Sequence, residues 1–119
     1  MTDTTSQTAK IRDQNDLFRV AKLTGKHTDL KGQIVYTQGV DGLSDGDKQA
    51  VFQQVREFSD FTEDNDPHGE HDFGAFTHNG DKFFWKIDYY AADMMHGSEN
   101  PADPSQTHRV LTIMLASEY

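Results

Sequence analysis

The sequence contains no cysteine. This absence excludes disulfides, thiolate metal sites and cysteine nucleophiles. A chain of 119 residues can bury an adequate core without such cross-links, and its length fits one domain. A lack of cysteine agrees with a reducing compartment, so we expect a cytoplasmic protein.

Long apolar runs are also missing. None approaches the roughly 20 residues that span a bilayer, so we expect no membrane partner. The first seven residues are rich in Thr and Ser and lack the apolar segment of a secretory signal. We therefore expect residues 1–7 to form a disordered tail and residues 8–119 to form a single domain.

Positive charge is scarce. The chain has 11 basic and 20 acidic side chains, a formal net charge of −9. The imbalance lies in residues 41–119, where 16 acidic side chains face 5 basic ones. Such a surface repels nucleic acid phosphates and anionic lipids, and it favours a basic protein partner. The simpler interpretation is that the acidity serves solubility.

The spacing of apolar residues and turn signals predicts six secondary-structure elements. They are a helix over 8–24, a strand over 32–38, a helix from an N-cap at Ser44 to about Ser59, two strands joined at Asn79-Gly80, and a strand over 108–116. Gly25 is expected to end the first helix. The fold class is therefore α+β, in the order α-β-α-β-β-β. We expect a largely antiparallel sheet of about four strands with two helices on one face.

The Asn79-Gly80 turn is a strong hairpin signal, because both central positions of a type I′ turn need a positive φ. A two-residue turn also fixes the register of the two strands. The predicted core face carries the large apolar side chains Phe83, Trp85 and Ile87.

The predicted opposite face mixes charged and aromatic residues. The register places His71 across from Asp88, with Lys86 and Tyr90 beside them. These four residues are the candidate catalytic groups if the face is a titratable site. The alternative, an ordinary polar sheet face, is the one we favour. Pairs of opposite charge commonly decorate open sheets, and a perturbed pKa would need burial.

Residues 57–72 are densely acidic and contain no Lys or Arg. The seven carboxylates are the candidate partner-binding groups: Glu57, Asp60, Glu63, Asp64, Asp66, Glu70 and Asp72. Asp66-Pro67 and Gly69 are typical of a structured turn, which is the interpretation we favour for this segment.

Two metal-binding interpretations of the same segment stay open. Asp64, Asp66 and His68 imitate the first ligands of an EF-hand loop, but the position of its bidentate Glu holds Ala75. A transition-metal site would instead use His68, Glu70 and His71, with Asp88 as a candidate fourth ligand. The sequence otherwise predicts no cofactor.

Three segments resemble a known family. They are NDPHGEHDFG at 65–74, FWKIDYY at 84–90 and RVLTIMLASEY at 109–119. Together they are similar to a family of short bacterial proteins, a domain of unknown function frequent in alphaproteobacteria and on mobile elements. The resemblance runs from about Ile11 to the C-terminus. It implies a role in plasmid biology or host–element conflict, and it implies no catalytic residues.

The expected function is a non-enzymatic, acidic interaction module whose partner is a basic or nucleic-acid-binding protein. In its sharper form the chain mimics DNA and inhibits a defence system, as anti-restriction or anti-CRISPR proteins do. The alternative is a small enzyme or metal-binding protein that uses the acidic loop and the second sheet face. No nucleophile motif, phosphate-binding glycine loop or cofactor fingerprint supports an enzyme. The sequence leaves the oligomeric state open.

Overall fold

The computed structural model of the protein describes residues 4–119. Its regular elements are α1 (Thr4–Thr24), β1 (Gly32–Tyr36), α2 (Gln38–Asp41), α3 (Asp45–Arg56), β2 (Phe73–His78), β3 (Asp81–Tyr90) and β4 (His108–Leu115). Short 3₁₀ turns lie on either side of β4, at Pro104–Gln106 and Ala116–Glu118. None of the helices in this part of the chain is long and apolar enough to cross a membrane.

The four strands form one sheet in the order β1-β4-β3-β2. The β2–β3 and β3–β4 pairs are antiparallel, and β1 pairs with β4 in parallel. The α+β class and the largely antiparallel sheet are therefore confirmed. The parallel pair arises because the chain leaves β1 through two helices and the hairpin before β4 enters between β1 and β3.

Both long helices contribute to the core on one sheet face. Trp85 and Phe83 of β3 are almost completely buried there, as the hairpin register predicted. They share one apolar cluster with Phe18 of α1 and with Val51 and Val55 of α3. The register thus decides which side chains of β3 the helices cover.

Local sequence signals set several of the boundaries. Gly25 has a φ of +72°, and the Lys26 amide behind it donates to the Ala21 carbonyl, which ends α1. The Ser44 hydroxyl accepts from the Asp47 amide and caps α3. In the hairpin turn, Asn79 and Gly80 have φ values of 52° and 81°.

Other boundaries differ from the prediction. α1 begins at Thr4, so residues 4–7 of the expected tail are helical, while residues 1–3 of it lie outside the described residues. Thr and Ser are weak helix formers, which explains why the sequence pattern does not reveal this extension. α3 ends at Arg56 rather than near Ser59. The guanidinium of Arg19 binds the Phe58 carbonyl, a contact that the sequence does not show.

The close approach of β2 to Trp85 gives the first testable prediction. A methyl group at Gly74 would collide with the indole nitrogen of Trp85 and lie 3.0 Å from the Phe58 ring. We expect Gly74→Ala to lower the free energy of unfolding by about 1–3 kcal/mol, measured in urea. Gly46 is the matched control, because a methyl group there meets nothing within 4 Å. Gly46→Ala should stabilise α3 by up to about 1 kcal/mol, and equal effects at both sites would contradict this account.

Candidate partner-binding surface

The acidic segment between α3 and β2 is an ordered loop. Its first half is closed by reciprocal hydrogen bonds: the Thr62 amide donates to the Asn65 side chain at 2.8 Å, and the Asn65 amide donates to the Thr62 hydroxyl at 3.3 Å. The Asn65 side chain also donates to the Asp60 carbonyl at 2.8 Å. The expected structured turn is therefore present.

The second half of the loop folds around Asp66. This carboxylate is only 9% exposed and accepts from the His71 amide at 3.2 Å. Two positive φ values bend the backbone here, 70° at Gly69 and 54° at His71. Glycine adopts such a φ freely, whereas a histidine needs the surrounding contacts to hold it.

Those contacts come from α1 and from the loop itself. The His71 ring stacks on Phe61 with ring centroids 3.7 Å apart. Its Nδ1 lies 3.0 Å from a carboxylate oxygen of Asp16. His71 therefore attaches the loop to α1, whereas the predicted hairpin register placed it across from Asp88.

A buried arginine fixes the start of the loop. Arg19 of α1 is 3% exposed and donates to the carbonyls of Val55, Arg56 and Phe58 at 2.7, 3.1 and 3.2 Å. Cations are favoured at a helix C-terminus, where backbone carbonyls lack partners. The guanidinium also lies 4.8 Å from the Trp85 ring. Burial lowers the pKa of Arg19, and the carboxylate of Asp16 opposes that shift.

A second buried polar network supports the end of the loop. Asn15 is fully buried, and its side-chain nitrogen donates to the Tyr89 hydroxyl at 2.7 Å and to the Glu70 carbonyl at 3.0 Å. Its side-chain oxygen accepts from Arg109 at 2.8 Å. The Tyr89 hydroxyl donates to the Glu70 carboxylate at 2.8 Å. Burial raises the pKa of Tyr89 well above its usual range, so the phenol stays protonated.

These networks divide the seven candidate carboxylates into two groups. Asp66, Glu70 and Asp72 are buried or half-buried, and the first two hold the loop together. The other four side chains are exposed, and we call them the acidic patch: Glu57, Asp60, Glu63 and Asp64. The acidic patch is the part of the predicted interaction surface that a partner can reach.

A groove of about 430 Å³ lies beside the acidic patch. Glu57 and Asp60 of the patch are among its lining residues, together with the aromatic rings of Phe58 and Phe76. Ala75 of β2 lines it as well. Since β2 is the last strand of the sheet order, this groove follows a sheet edge.

The predicted His71–Asp88 pair is wrong. The β2–β3 ladder ends at Phe73–Lys86, and the positive φ of His71 turns its side chain to Asp16. Asp88 instead lies 2.9 Å from Lys86, and this contact raises the pKa of the lysine. Tyr90 shares their face and lines a cavity of about 510 Å³ with them. The four candidate catalytic residues therefore do not form one site.

The metal-binding interpretations also lack support from the geometry. Across residues 4–119, no three His, Asp or Glu side chains converge in a way that could hold a metal ion. Glu70 accepts from Tyr89, His71 lies against Asp16, and His68 is exposed.

The residues that organise this surface are ones that the sequence pattern did not single out. Asn15 and Arg19 lie on the buried face of α1. The signal that could have identified them is their spacing from Ile11 and Phe18, which places polar side chains within an apolar helical stripe. Arg109 gave no such signal, because it stands at the start of a strand.

The half-buried carboxylate of Asp72 gives a prediction about pH. Burial and the neighbouring Glu70 raise its pKa, so the fold disfavours the ionised form. The protonated carboxyl therefore favours the folded state. This contribution to stability is fully present below the unfolded-state pKa of about 3.9, and it is lost as the pH rises through the higher folded-state pKa. We expect Asp72→Asn to raise the free energy of unfolding at pH 7 and to do so less at pH 4.5, as measured by urea denaturation.

Asp47 is the matched control with the opposite sign. The His78 ring lies 2.9 Å from its carboxylate, and this contact lowers the pKa of Asp47. We expect Asp47→Asn to destabilise the protein at pH 7. A loss of stability at pH 7 in Asp72→Asn would contradict the assignment.

The comparison with family models identifies the family of the chain. Residues 36–118 match the model described as "Protein of unknown function (DUF3768)". Neither the comparison with curated proteins nor that with solved structures gave a match. The matched range contains the acidic patch, the groove and three of the four strands in full. The chain therefore belongs to the DUF3768 family, which confirms the resemblance to a domain of unknown function.

Proposed function

We propose that this protein is a non-enzymatic, cytoplasmic interaction module that binds a basic protein through the acidic patch. The observation that carries the proposal is the division of the loop carboxylates. Three of them hold positions inside the fold, whereas Glu57, Asp60, Glu63 and Asp64 face solvent from one eight-residue stretch. An ordered backbone presents these charges in a fixed arrangement, so a partner binds without having to order the loop.

The placement of positive charge supports the proposal. Two of the 11 basic side chains, Arg19 and Arg109, are buried and cannot neutralise the surface. Near the patch, Arg56 pairs with Glu57 at 3.5 Å. Asp60, Glu63 and Asp64 form no ion pair with the described residues, and their charge is available to a partner.

Electrostatic attraction of this kind acts mainly on the rate and selectivity of association. Exposed charges are screened over about 10 Å at 0.1 M salt, so binding should weaken as the ionic strength rises. A basic partner would be attracted from solution, while nucleic acids and anionic lipids would be repelled. Salt-dependent binding to a basic protein is therefore the behaviour expected of the patch.

The sharper form of the proposal is DNA mimicry. A nucleic-acid-binding enzyme presents a basic surface, which the acidic patch can occupy in place of phosphates. The resemblance to bacterial proteins on mobile elements supports a target in a host defence system, such as a restriction or CRISPR nuclease.

Neutralising the patch tests the general proposal. We expect the triple variant Glu57→Gln, Asp60→Asn, Glu63→Gln to bind a basic heptapeptide of alternating Arg and Thr about tenfold more weakly at 50 mM salt. Each exposed ion pair contributes up to about 1 kcal/mol, which sets this magnitude. Fluorescence anisotropy with a labelled peptide measures the affinity.

A second triple variant controls for net charge. Asp29→Asn, Asp41→Asn and Glu99→Gln remove the same number of negative charges from exposed positions outside the acidic loop. This variant should keep most of the affinity. An equal loss in both variants would show that net charge alone attracts the peptide and would remove the patch from the proposal.

Competition tests the DNA-mimic form. Once a basic partner has been captured from the native host, duplex DNA should displace it from the protein, and the patch variant should fail to inhibit DNA binding by that partner. Electrophoretic mobility shift measures both effects. Simultaneous binding of DNA and this protein to the same partner would refute mimicry while leaving the interaction proposal intact.

A further inference from the structure

The outer edge of β2 has backbone groups that no strand covers. The β2–β3 hairpin closes on the His78–Asp81 pair, and the Ile87 amide donates to the Asp72 carbonyl at 2.8 Å. In an antiparallel ladder the direction of the backbone groups alternates along the strand. The N–H and C=O groups of residues 72, 74, 76 and 78 therefore point to β3. The same groups of Phe73, Ala75 and Thr77 point away from the sheet.

One of these outward groups is partly satisfied. The Gln54 side chain of α3 donates to the Thr77 carbonyl at 3.4 Å. Within residues 4–119, no hydrogen bond from another element reaches the outward N–H or C=O of Ala75. An edge of this kind is a template for pairing with a further strand.

The groove defines what an added strand would meet. Residues opposite Gly74 and Phe76 would point to the groove side, because residues directly across a sheet share a face. The space over Gly74 itself is filled by the Trp85 ring. The stem of a long side chain would instead lie in the groove along the Phe58 ring, and its head would reach towards the carboxylates of Glu57 and Asp60.

We infer that the edge of β2 binds an extended, basic segment of the partner protein as a fifth strand, with Arg or Lys at alternate positions directed into the groove. This inference rests on the proposed function and specifies how the same surface would recognise its partner. Backbone pairing would supply the main-chain hydrogen bonds, and the alternating basic side chains would supply selectivity.

The charge of the groove argues for a partner rather than a second copy of this chain. Two copies paired along β2 would bring their acidic patches together, and like charges across such a contact oppose it. The other edge strand offers a different environment. β1 lies at the opposite edge of the sheet from β2 and leaves Val35 and Tyr36 partly exposed, so a strand added there would not meet the acidic patch.

Two peptides of equal charge test the inference. The first alternates Arg and Thr over seven residues. The second replaces the central Thr with Pro, which removes an N–H and disfavours a strand. We expect the first peptide to bind about five- to tenfold more tightly, the value of about one backbone hydrogen bond. Hydrogen exchange should show new protection of the Ala75 amide with the first peptide.

Two variants at one position complete the experiment. Ala75→Pro removes the outward N–H, whereas Ala75→Val keeps it and suits a strand. Ala75→Pro should lower the affinity for the first peptide to that of the Pro peptide, and Ala75→Val should lower it less, because its N–H is retained. Unfolding in urea checks that each variant folds. If Ala75→Pro does not fold, the protection of the Ala75 amide in the unaltered chain decides.

The outcomes separate the two proposals. Equal affinities for both peptides, without protection at Ala75, would overturn strand addition while the acidic patch stays the binding surface. No binding of either peptide would overturn both proposals. Protection of Ala75 that depends on protein concentration without peptide would assign the edge to a second copy and would also overturn the inference.

Discussion

The structure of the acidic loop, and of the acidic patch that it presents, depends on the burial of Arg19. Its guanidinium binds three carbonyls at the end of α3 and lies over Trp85 at the centre of the sheet. A buried cation is costly unless its donors find partners. Carbonyls at the end of α3 and the Asp16 carboxylate accept from its two terminal nitrogens, while its Nε has no hydrogen-bond partner among the described residues. The carbonyls at the helix end also gain a favourable charge. One side chain thereby connects α1, α3 and the sheet, and it sets the point from which the acidic loop departs.

The carboxylates of the acidic loop have two roles: some hold the loop together, and the others face solvent. Asp66 and Glu70 accept hydrogen bonds inside the fold, and Asp16 of α1 holds His71 from outside the loop. Because these contacts order the backbone, the four remaining carboxylates are presented at fixed positions. An acidic segment of the same composition without the internal contacts would pay an entropic cost on binding a partner.

The two sheet faces have different chemistry for a topological reason. Both long helices cover one face, so Lys86, Asp88 and Tyr90 on the other stay partly accessible. The Lys86–Asp88 pair has opposite charges side by side, which agrees with an ordinary polar sheet face. The edge of β2 is where this sheet meets the acidic patch, and the proposed partner strand would use both features.

The sequence by itself determined the elements whose signals are local. The Asn79-Gly80 turn, the Ser44 cap and the Gly25 stop depend on backbone chemistry within a few residues, so the hairpin register and the core side chains Phe83 and Trp85 followed from them. Only the tertiary structure decided the parallel placement of β1, the inward turn of His71 and the burial of Arg19, Asn15 and Arg109. These features depend on contacts between residues far apart in the chain. The identity of a polar residue does not show whether its side chain binds another part of the fold or water. For that reason the sequence could not distinguish the three structural carboxylates from the four exposed ones.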